Sequence, residues 1–223
     1  MSNIKHLIIY SHGFGVRKDD NGLLTAIADA FPKIESILFD YFEINESDKT
    51  MLICPLSLEV KKLNQIVYET RIANPDAIID LICHSQGTIV AAMARPNGIR
   101  KAILLAPVFE MELERTLARY RSKPGAEINL DGITKFPSST GFTRIIPKEY
   151  WEERAVVQPF IEYNAFAKIT EIIVIEANQD QLLPKVDLSE LDYRIKIISI
   201  DGDHGFNGVA REPLIKVLKD LLE

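Results

Sequence analysis

The chain has 223 residues, of which 47% are hydrophobic and 26% are charged, and its formal net charge is −6. This composition excludes a disordered chain and is typical of one globular domain with a substantial apolar core. The acidic balance disfavours nucleic acids and anionic membranes as partners, because these select clusters of lysine and arginine. Small uncharged or cationic ligands are compatible with it.

The N-terminal apolar run, residues 7–10, is too short for a signal sequence or a membrane span, and no later run is long enough. Cys54 and Cys83 are the only cysteines. Cys83 falls on a predicted buried strand, so we expect free thiols rather than a disulfide. These features predict a cytoplasmic protein with no stable membrane insertion.

Six short apolar runs alternate with stretches of helical periodicity. The runs are residues 5–10, 34–39, 78–83, 101–105, 171–176 and 194–200. Their nearly continuous apolar character is typical of parallel strands covered by helices on both faces. The sequence therefore predicts an α/β fold with a doubly wound, mostly parallel sheet of about six strands.

Apolar residues at three- and four-residue spacing predict helices between these strands. The first helix follows cap candidates at 19–21, and the second has an apolar stripe within 60–70 and Ser57 as its predicted N-cap. A third follows Ser85, and the last runs from Pro213 to the C-terminus. We expect these helices to cover the sheet.

One segment, residues 108–167, interrupts the alternation of strands and helices. Its first part, 111–121, has helical spacing, and the polar, turn-rich stretch 129–144 is compatible with short strands or a hairpin. A second helical stretch covers 147–166. An insertion of this size is more typical of a lid over a site than of a structureless loop. We expect a single domain, 1–223, with this lid insertion.

The pentapeptide at 83–87, Cys-His-Ser-Gln-Gly, marks the transition from the third strand to its helix. A serine on a tight strand-to-helix turn has an exposed hydroxyl, and the next backbone N–H is free to face a developing oxyanion. Gly87 supplies the small residue that such a turn needs, whereas Cys83 stands where the usual pattern has glycine. Ser85 is therefore the candidate nucleophile.

A nucleophilic serine needs a base, and the base needs an acid that orients it. His204 follows the last strand and Asp180 follows the strand before it, so both are expected at the same sheet edge as Ser85. The chain order is nucleophile, acid, base. Other acidic residues near enough to serve are Asp187, Asp201, Asp203 and Glu110.

The loop after the first strand supplies the fourth component. Its glycines allow backbone N–H groups to face a substrate oxygen, which predicts an oxyanion hole formed by the N–H groups of Phe14 and Gln86. His12 and His84 are expected to hold the loop and the elbow by hydrogen bonds. Neither is assigned chemistry.

Together these motifs, from the loop at 12–14 to the turn at 203–205, resemble the α/β-hydrolase superfamily of serine hydrolases over nearly the whole chain. Among its members they are similar to small carboxylesterases of the cinnamoyl or feruloyl esterase type, although the loop at 40–46 lacks the Gly-rich sequence usual there. The resemblance implies hydrolysis of a small-molecule carboxylic ester through an acyl-serine intermediate, with no cofactor and no metal.

The same triad serves several related reactions. Thioesters, amides and carbon–carbon bonds are cleaved by it, and the acyl group is transferred to an alcohol in place of water in some enzymes. A different class is a catalytically inactive hydrolase fold that binds ligands or partners. The sequence leaves these alternatives open.

Overall fold

The computed structural model describes residues 4–138 and 140–222. In chain order the strands are β1 (His6–Ser11), β2 (Glu35–Leu38), β3 (Glu43–Asn45), β4 (Thr50–Leu52), β5 (Ile78–His84), β6 (Lys101–Leu105), β7 (Ile133–Pro137), β8 (Thr143–Pro147), β9 (Glu171–Ala177) and β10 (Lys196–Ile200). The helices are α1 (Leu23–Ala30), α2 (Leu56–Ala73), α3 (Gln86–Ala94), α4 (Leu113–Arg121), α5 (Lys148–Val156), α6 (Pro159–Phe166) and α7 (Arg211–Leu222).

The central sheet has six strands in the order β10-β9-β6-β5-β1-β2, and every neighbouring pair is parallel. The predicted doubly wound sheet and its six strands are confirmed. The chain runs outward from β1 to β2 and then returns to β5 on the other side of β1. The loops after β1 and β5 therefore meet at the point where the strand order reverses, which is where α/β sheets bind ligands.

Apolar side chains alternate between the two faces of the sheet. On β1, Ile8 and Tyr10 join a core with α1 and α7, whereas Leu7 and Ile9 join the larger core with α2, α3 and α6. Both faces are thus covered, as expected of a parallel sheet. Within 4–138 and 140–222, no helix combines the length and apolar character needed to cross a membrane.

The insertion, residues 108–167, contains α4, α5 and α6 together with the hairpin of β7 and β8. Of the two possibilities for the turn-rich stretch, short strands or a hairpin, the structure has the antiparallel pair of β7 and β8; Ser139 lies outside the described residues. The hairpin joins a second sheet in the order β3-β4-β8-β7. The expectation of a loop at 40–46 is therefore wrong in part, because Glu43–Asn45 is a strand that pairs with β4.

The single helical stretch expected at 147–166 is two helices. Pro159 occupies the first turn of α6, and a proline disfavours the helical conformation of the residue before it. Gln158 accordingly has φ −116° and ψ 91°, and Val157 is extended. The break separates α5 from α6.

Both predicted side-chain caps are wrong. Gly22, not a residue of 19–21, is the N-cap of α1, and it makes no side-chain hydrogen bond. α2 begins at Leu56 after Pro55, while the Ser57 hydroxyl donates to Glu153 at 2.6 Å. The side chains of Asp20 and Ser57 have tertiary hydrogen-bond partners in place of a local capping role.

Candidate active site

Ser85 lies on a sharp turn between β5 and α3. Its φ of 51° and ψ of −123° belong to a backbone region that residues other than glycine rarely adopt. The turn brings Gly87 so close to β1 that a Cβ there would overlap the backbone carbonyl of Ser11. Cys83, by contrast, is a fully buried β5 residue within the apolar core. A small apolar side chain therefore suffices at 83, whereas glycine is required at 87.

The structure brings together the three side chains that the sequence placed at separate strand ends. His204 Nε2 lies 2.9 Å from Ser85 Oγ, and His204 Nδ1 lies 2.6 Å from Asp180 Oδ2. Both distances that join the candidate nucleophile, base and acid are within hydrogen-bonding range. Asp180 is held in turn by the N–H groups of Leu182 and Leu183, which donate to its Oδ1.

The surroundings keep His204 neutral and Asp180 ionised. Burial lowers the pKa of His204, and the neighbouring charge of His84 lowers it further, against the opposing effect of Asp180. Burial would raise the pKa of Asp180, but the hydrogen bond and charge of His204 outweigh it and the net shift is downward. A neutral imidazole beside an aspartate is the form that accepts a proton from serine.

The other acidic candidates have different partners. Asp187 accepts from the N–H of Ser189, Asp201 from Asn178, Asp203 from Asn207, and Glu110 lies 3.4 Å from Arg115. Asp180 alone among these five faces the ring of His204 in a hydrogen bond. The geometry therefore favours Asp180 as the acid.

The loop after β1 lies directly against the elbow. A Cβ on Gly13 would be 3.1 Å from Ser85 Cβ, and Phe14, Ser85 and Gln86 all line one cleft. Among the residues that the structure describes, neither the Phe14 N–H nor the Gln86 N–H donates to a protein acceptor. Gln86 also opens α3, where the helix dipole favours negative charge. Both N–H groups are therefore available to a substrate oxygen.

Comparison with solved structures identifies the architecture. Est1E from Butyrivibrio proteoclasticus superposes with a TM-score of 0.71 at 17% identity, covering 98% of this chain and 87% of its own. The α/β hydrolase GrgF from Penicillium sp. sh18 gives 0.72 at 16% identity, with 99% and 90% covered. The chain has the α/β-hydrolase fold.

The esterase domain of a Rhodothermus marinus protein is also similar in structure, with a TM-score of 0.66 at 15% identity, covering 99% of this chain and 87% of its own. The resemblance to esterases of this fold that the motifs indicated is thus confirmed at the level of structure. No protein-family model and no curated protein matches the sequence.

A second aspartate–histidine pair, which the sequence did not reveal, lies beneath the elbow. The carboxylate of Asp20 accepts from the Gly13 N–H at 2.7 Å and lies 2.8 Å from His84 Nδ1, and both side chains are buried. The other ring nitrogen of His84 lies 2.9 Å from the backbone carbonyl of His204. Since both nitrogens face acceptors, only the imidazolium can donate to each of them.

The pKa values agree with this protonation state. Burial lowers the pKa of His84, but the charge of Asp20 and its hydrogen bond outweigh burial and raise the pKa overall. Burial likewise opposes ionisation of Asp20, and the charge of His84 outweighs it, so that the pKa of Asp20 is lowered. This ion pair holds the loop at Gly13 and the loop at His204 against the elbow.

His12 has the opposite character. Its Nε2 accepts from the Tyr41 N–H at 3.1 Å, so the proton lies on Nδ1, which donates to the Gly13 carbonyl at 2.9 Å. Burial lowers its pKa. The neutral ring therefore holds the loop, and the expectation that both elbow-region histidines act structurally agrees with these contacts.

The side chain of Gln86 rests on a buried glutamate. Its Nε2 donates to both carboxylate oxygens of Glu59, at 3.1 and 3.0 Å, and its Oε1 accepts from the Tyr150 hydroxyl at 2.6 Å. Burial raises the pKa of Glu59 to about 8. Glu59 is on α2, whose predicted apolar stripe began at Val60, yet the Glu59 side chain is buried in the core. Glu59 precedes Leu63 by four residues, and this helical spacing could have indicated that it shares the buried face.

The cleft above Ser85 has a volume of about 710 Å³. One wall is the elbow and the loops after β1 and β10, and the opposite wall comes from the insertion. In the second wall the rings of Tyr120 and Phe136 stack, and Phe14 from the loop after β1 contacts Tyr120 and Tyr150 of the insertion. The cleft is therefore large enough for a small-molecule substrate, with an aromatic surface beside the nucleophile.

Proposed function

We propose that the chain is a serine hydrolase that cleaves a small-molecule carboxylic ester through an acyl-serine intermediate. The observation that carries the proposal is the pair of hydrogen bonds that joins Ser85 to His204 and His204 to Asp180 beside an elbow serine. Two structural neighbours support an ester as substrate: one is an esterase domain, and Est1E was also solved with ferulic acid bound.

Acylation follows from the positions of these groups. His204 Nε2 takes the proton of Ser85 Oγ while Oγ bonds to the ester carbonyl carbon, and the tetrahedral oxyanion is held by the Phe14 and Gln86 N–H groups. The carbon–oxygen bond to the alcohol then breaks. The imidazolium of His204 gives its proton to the departing alkoxide, and the acyl group remains on Ser85.

Deacylation repeats the sequence with water. His204 accepts a proton from the water as its oxygen attacks the acyl carbon, and the same N–H groups hold the second oxyanion. When the bond to Ser85 Oγ breaks, that oxygen regains the proton from His204 and the carboxylic acid leaves. Loss of one oxyanion donor costs on the order of a hundredfold in rate in sites of this kind.

The proposal includes the insertion and the compartment. Residues 108–167 act as the lid, because Tyr120, Phe136 and Tyr150 form the wall of the cleft that faces the elbow. The compartment is the cytoplasm, since both cysteines are free and Cys83 is buried in the core, where it has no partner thiol to bond. The proposed hydrolysis requires no cofactor.

Fluorophosphonate labelling tests the nucleophile. We expect the folded protein to be labelled at Ser85, Ser85→Ala to be unlabelled, and the exposed-site control Ser189→Ala to be labelled like the wild type. Mass spectrometry of the modified peptide identifies the site. Absence of labelling in the folded wild-type protein contradicts the proposal and favours an inactive module that binds ligands.

A substrate panel tests the bond that is cleaved. Nitrophenyl and aryl esters of increasing acyl length are compared with a thioester and an anilide, and product analysis in the presence of an added alcohol separates hydrolysis from acyl transfer. We expect the esters to be cleaved fastest, with release of the free acid. Turnover of the thioester or anilide alone would refute the ester assignment.

A further inference from the structure

Five cationic side chains of the insertion line the cleft of Ser85. Arg115 is paired with Glu110, and Arg154 donates to Met111 and Thr116. The other three are Arg119 on α4, Lys123 just after that helix, and Arg144 on β8. We call them the cationic wall. Its charge is opposite to the net charge of −6 of the whole chain. The wall is thus a local feature that the overall composition conceals.

The cationic wall differs from its two neighbours on α4, Arg115 and Arg121, in lacking acidic partners. Arg115 and Arg121, also on α4, lie 3.4 Å from Glu110 and 3.2 Å from Glu114. Within 4–138 and 140–222, no carboxylate lies within 4.0 Å of the charged nitrogens of the wall. The wall therefore keeps its positive charge uncompensated by the described part of the protein.

The carboxylates that line the cleft are engaged or face solvent. Asp20 is bound to His84, Glu110 to Arg115, Asp203 to Asn207, and Glu112 is exposed at the start of α4. None of them approaches the cationic wall within salt-bridge distance. An anion brought by a ligand would meet the wall without competing against a carboxylate of the protein.

The three cations also repel one another. Burial lowers the pKa of Lys123, and the charges of Arg119 and Arg144 lower it further. Burial lowers the pKa of Arg144 as well, and Arg119 adds to that effect against an opposing contribution from Tyr120. A cluster of like charges in a half-buried position costs free energy that a bound anion would offset.

Arg144 is held rigidly at this place. Its Nε donates to the Gly15 carbonyl at 2.8 Å, and its guanidinium lies over the rings of Phe14 and Phe136, at 5.8 and 5.3 Å from their centroids. A Cβ on Gly15 would overlap that guanidinium, so the contact requires glycine. The terminal nitrogens of Arg144 have no acceptor among the described residues, which leaves a forked donor pair for a ligand.

The cationic wall differs from ordinary solvated surface cations. An ordinary surface cation extends into water and is exposed, as Arg121 is, whereas Lys123 and Arg144 are half-buried. Lys123 Nζ lies 5.1 Å from the centroid of the Phe136 ring. Aromatic faces attract such cations but do not neutralise their charge. The wall combines fixed geometry, partial desolvation and uncompensated charge beside the candidate nucleophile.

We propose that the cationic wall binds an anionic group, a carboxylate or a phosphate, on the ester that Ser85 cleaves. The anion would lie against Arg119, Lys123 and Arg144, with the apolar part of the substrate on the aromatic surface between the wall and the elbow. This inference rests on the proposed ester hydrolysis. It narrows the substrate class to esters that carry an anionic group, a class that the overall acidic composition did not indicate.

Matched esters test the proposal. The 4-nitrophenyl monoester of adipate is compared with its methyl-capped neutral counterpart and with the ester of 6-phosphonohexanoate. We expect kcat/KM for one anionic ester to exceed that for the neutral ester by roughly tenfold or more, the effect of one charge-assisted hydrogen bond. The larger of the two anionic preferences identifies the anion. A ratio of one or less for both would refute the wall as an anion site.

Single variants assign the preference to the wall. Arg119→Gln, Lys123→Gln and Arg144→Gln are each expected to lower the ratio of anionic to neutral kcat/KM, whereas the matched control Arg121→Gln keeps it. Thermal melts establish that each variant is folded. Because Arg119 is exposed, its variant tests the wall even if Arg144→Gln unfolds. Equal ratios in the folded wall variants and the wild type would overturn the inference.

Binding without turnover separates this inference from the proposed function. Calorimetry with Ser85→Ala measures binding of monomethyl adipate against dimethyl adipate. Tighter binding of the anion that Lys123→Gln removes supports the wall even if no ester is hydrolysed. If neutral esters are hydrolysed and neither kinetics nor calorimetry shows a preference for the anion, the proposed hydrolase function is supported and the anion site is refuted.

Discussion

Glu59 offers the sharpest quantitative test of the site. The residue is buried under Gln86, and burial raises its pKa from 4.5 to about 8. A group whose pKa is higher in the folded state binds a proton that the unfolded chain has released, so stability falls as pH rises between the two values. Glu59→Gln imitates the protonated form and removes this dependence.

The magnitude follows from the two pKa values. Between pH 5 and pH 8 the folded protein keeps nearly one more proton than the unfolded chain, which corresponds to roughly 3–4 kcal/mol at 1.36 kcal/mol per pH unit. Relative to wild type, Glu59→Gln is therefore expected to gain roughly 3–4 kcal/mol of unfolding free energy between pH 5 and pH 8. Urea denaturation at both pH values measures it.

The control is Glu69→Gln, an exposed glutamate on the same helix, for which the stability difference from wild type should change by less than about 0.5 kcal/mol between the two pH values. If the difference between Glu59→Gln and wild type is the same at pH 5 and pH 8, Glu59 is not protonated in the folded protein. The account of the chain from Glu59 through Gln86 to Tyr150 would then be wrong.

The same residue predicts the alkaline limb of the activity profile. Activity should rise through the pKa of His204, which burial and the charge of His84 hold below 6.5. It should fall as Glu59 ionises near pH 8, because a carboxylate beneath Gln86 opposes the oxyanion that its N–H stabilises. In Glu59→Gln the kcat/KM of a neutral ester should remain level through pH 9. A fall identical to that of wild type would contradict this role.

Three further outcomes are expected. Asp180→Asn should lower kcat/KM on the order of ten thousandfold while leaving the melting temperature within a few degrees, as measured by steady-state kinetics and calorimetry. Asp20→Asn removes the charge that His84 needs and should destabilise the fold by about 2–4 kcal/mol in urea, with wild-type stability contradicting the buried ion pair. Burial raises the pKa of both thiols, that of Cys54 to about 12, so Cys54 and Cys83 should react slowly with a disulfide reagent at pH 8 until urea unfolds the chain.

The central sheet could be predicted from the sequence because each of its strands is an apolar run followed by a turn. Parallel strands place their carboxyl ends at one edge, so residues following different strands, such as Ser85 and His204, are brought together by topology alone. Their chain order then restricted the acid to a few candidates. Choosing Asp180 among them required the distance to the imidazole, which no spacing along the chain encodes.

The features that the sequence did not reveal depend on tertiary contacts. β3 and β4 have only three residues each and are completed by β8, about ninety positions later in the chain. Asp20 was interpreted as a cap candidate, and its partner His84 is 64 positions away. The cationic wall is assembled from a helix, the residue two positions after it and a strand. Net charge gives no information about such a local concentration.

His84 connects these observations to the nucleophile. Its imidazolium lies with its ring centroid 4.8 Å from that of His204, so its charge disfavours a second cation there. In the proposed mechanism this keeps His204 ready to accept the serine proton, and when His204 becomes positive the carboxylate of Asp180 offsets the repulsion. Asp20 offsets the permanent charge of His84 and at the same time fixes the N–H of Gly13. Each histidine thus has its own aspartate, and the elbow holds one charged and one neutral ring in contact.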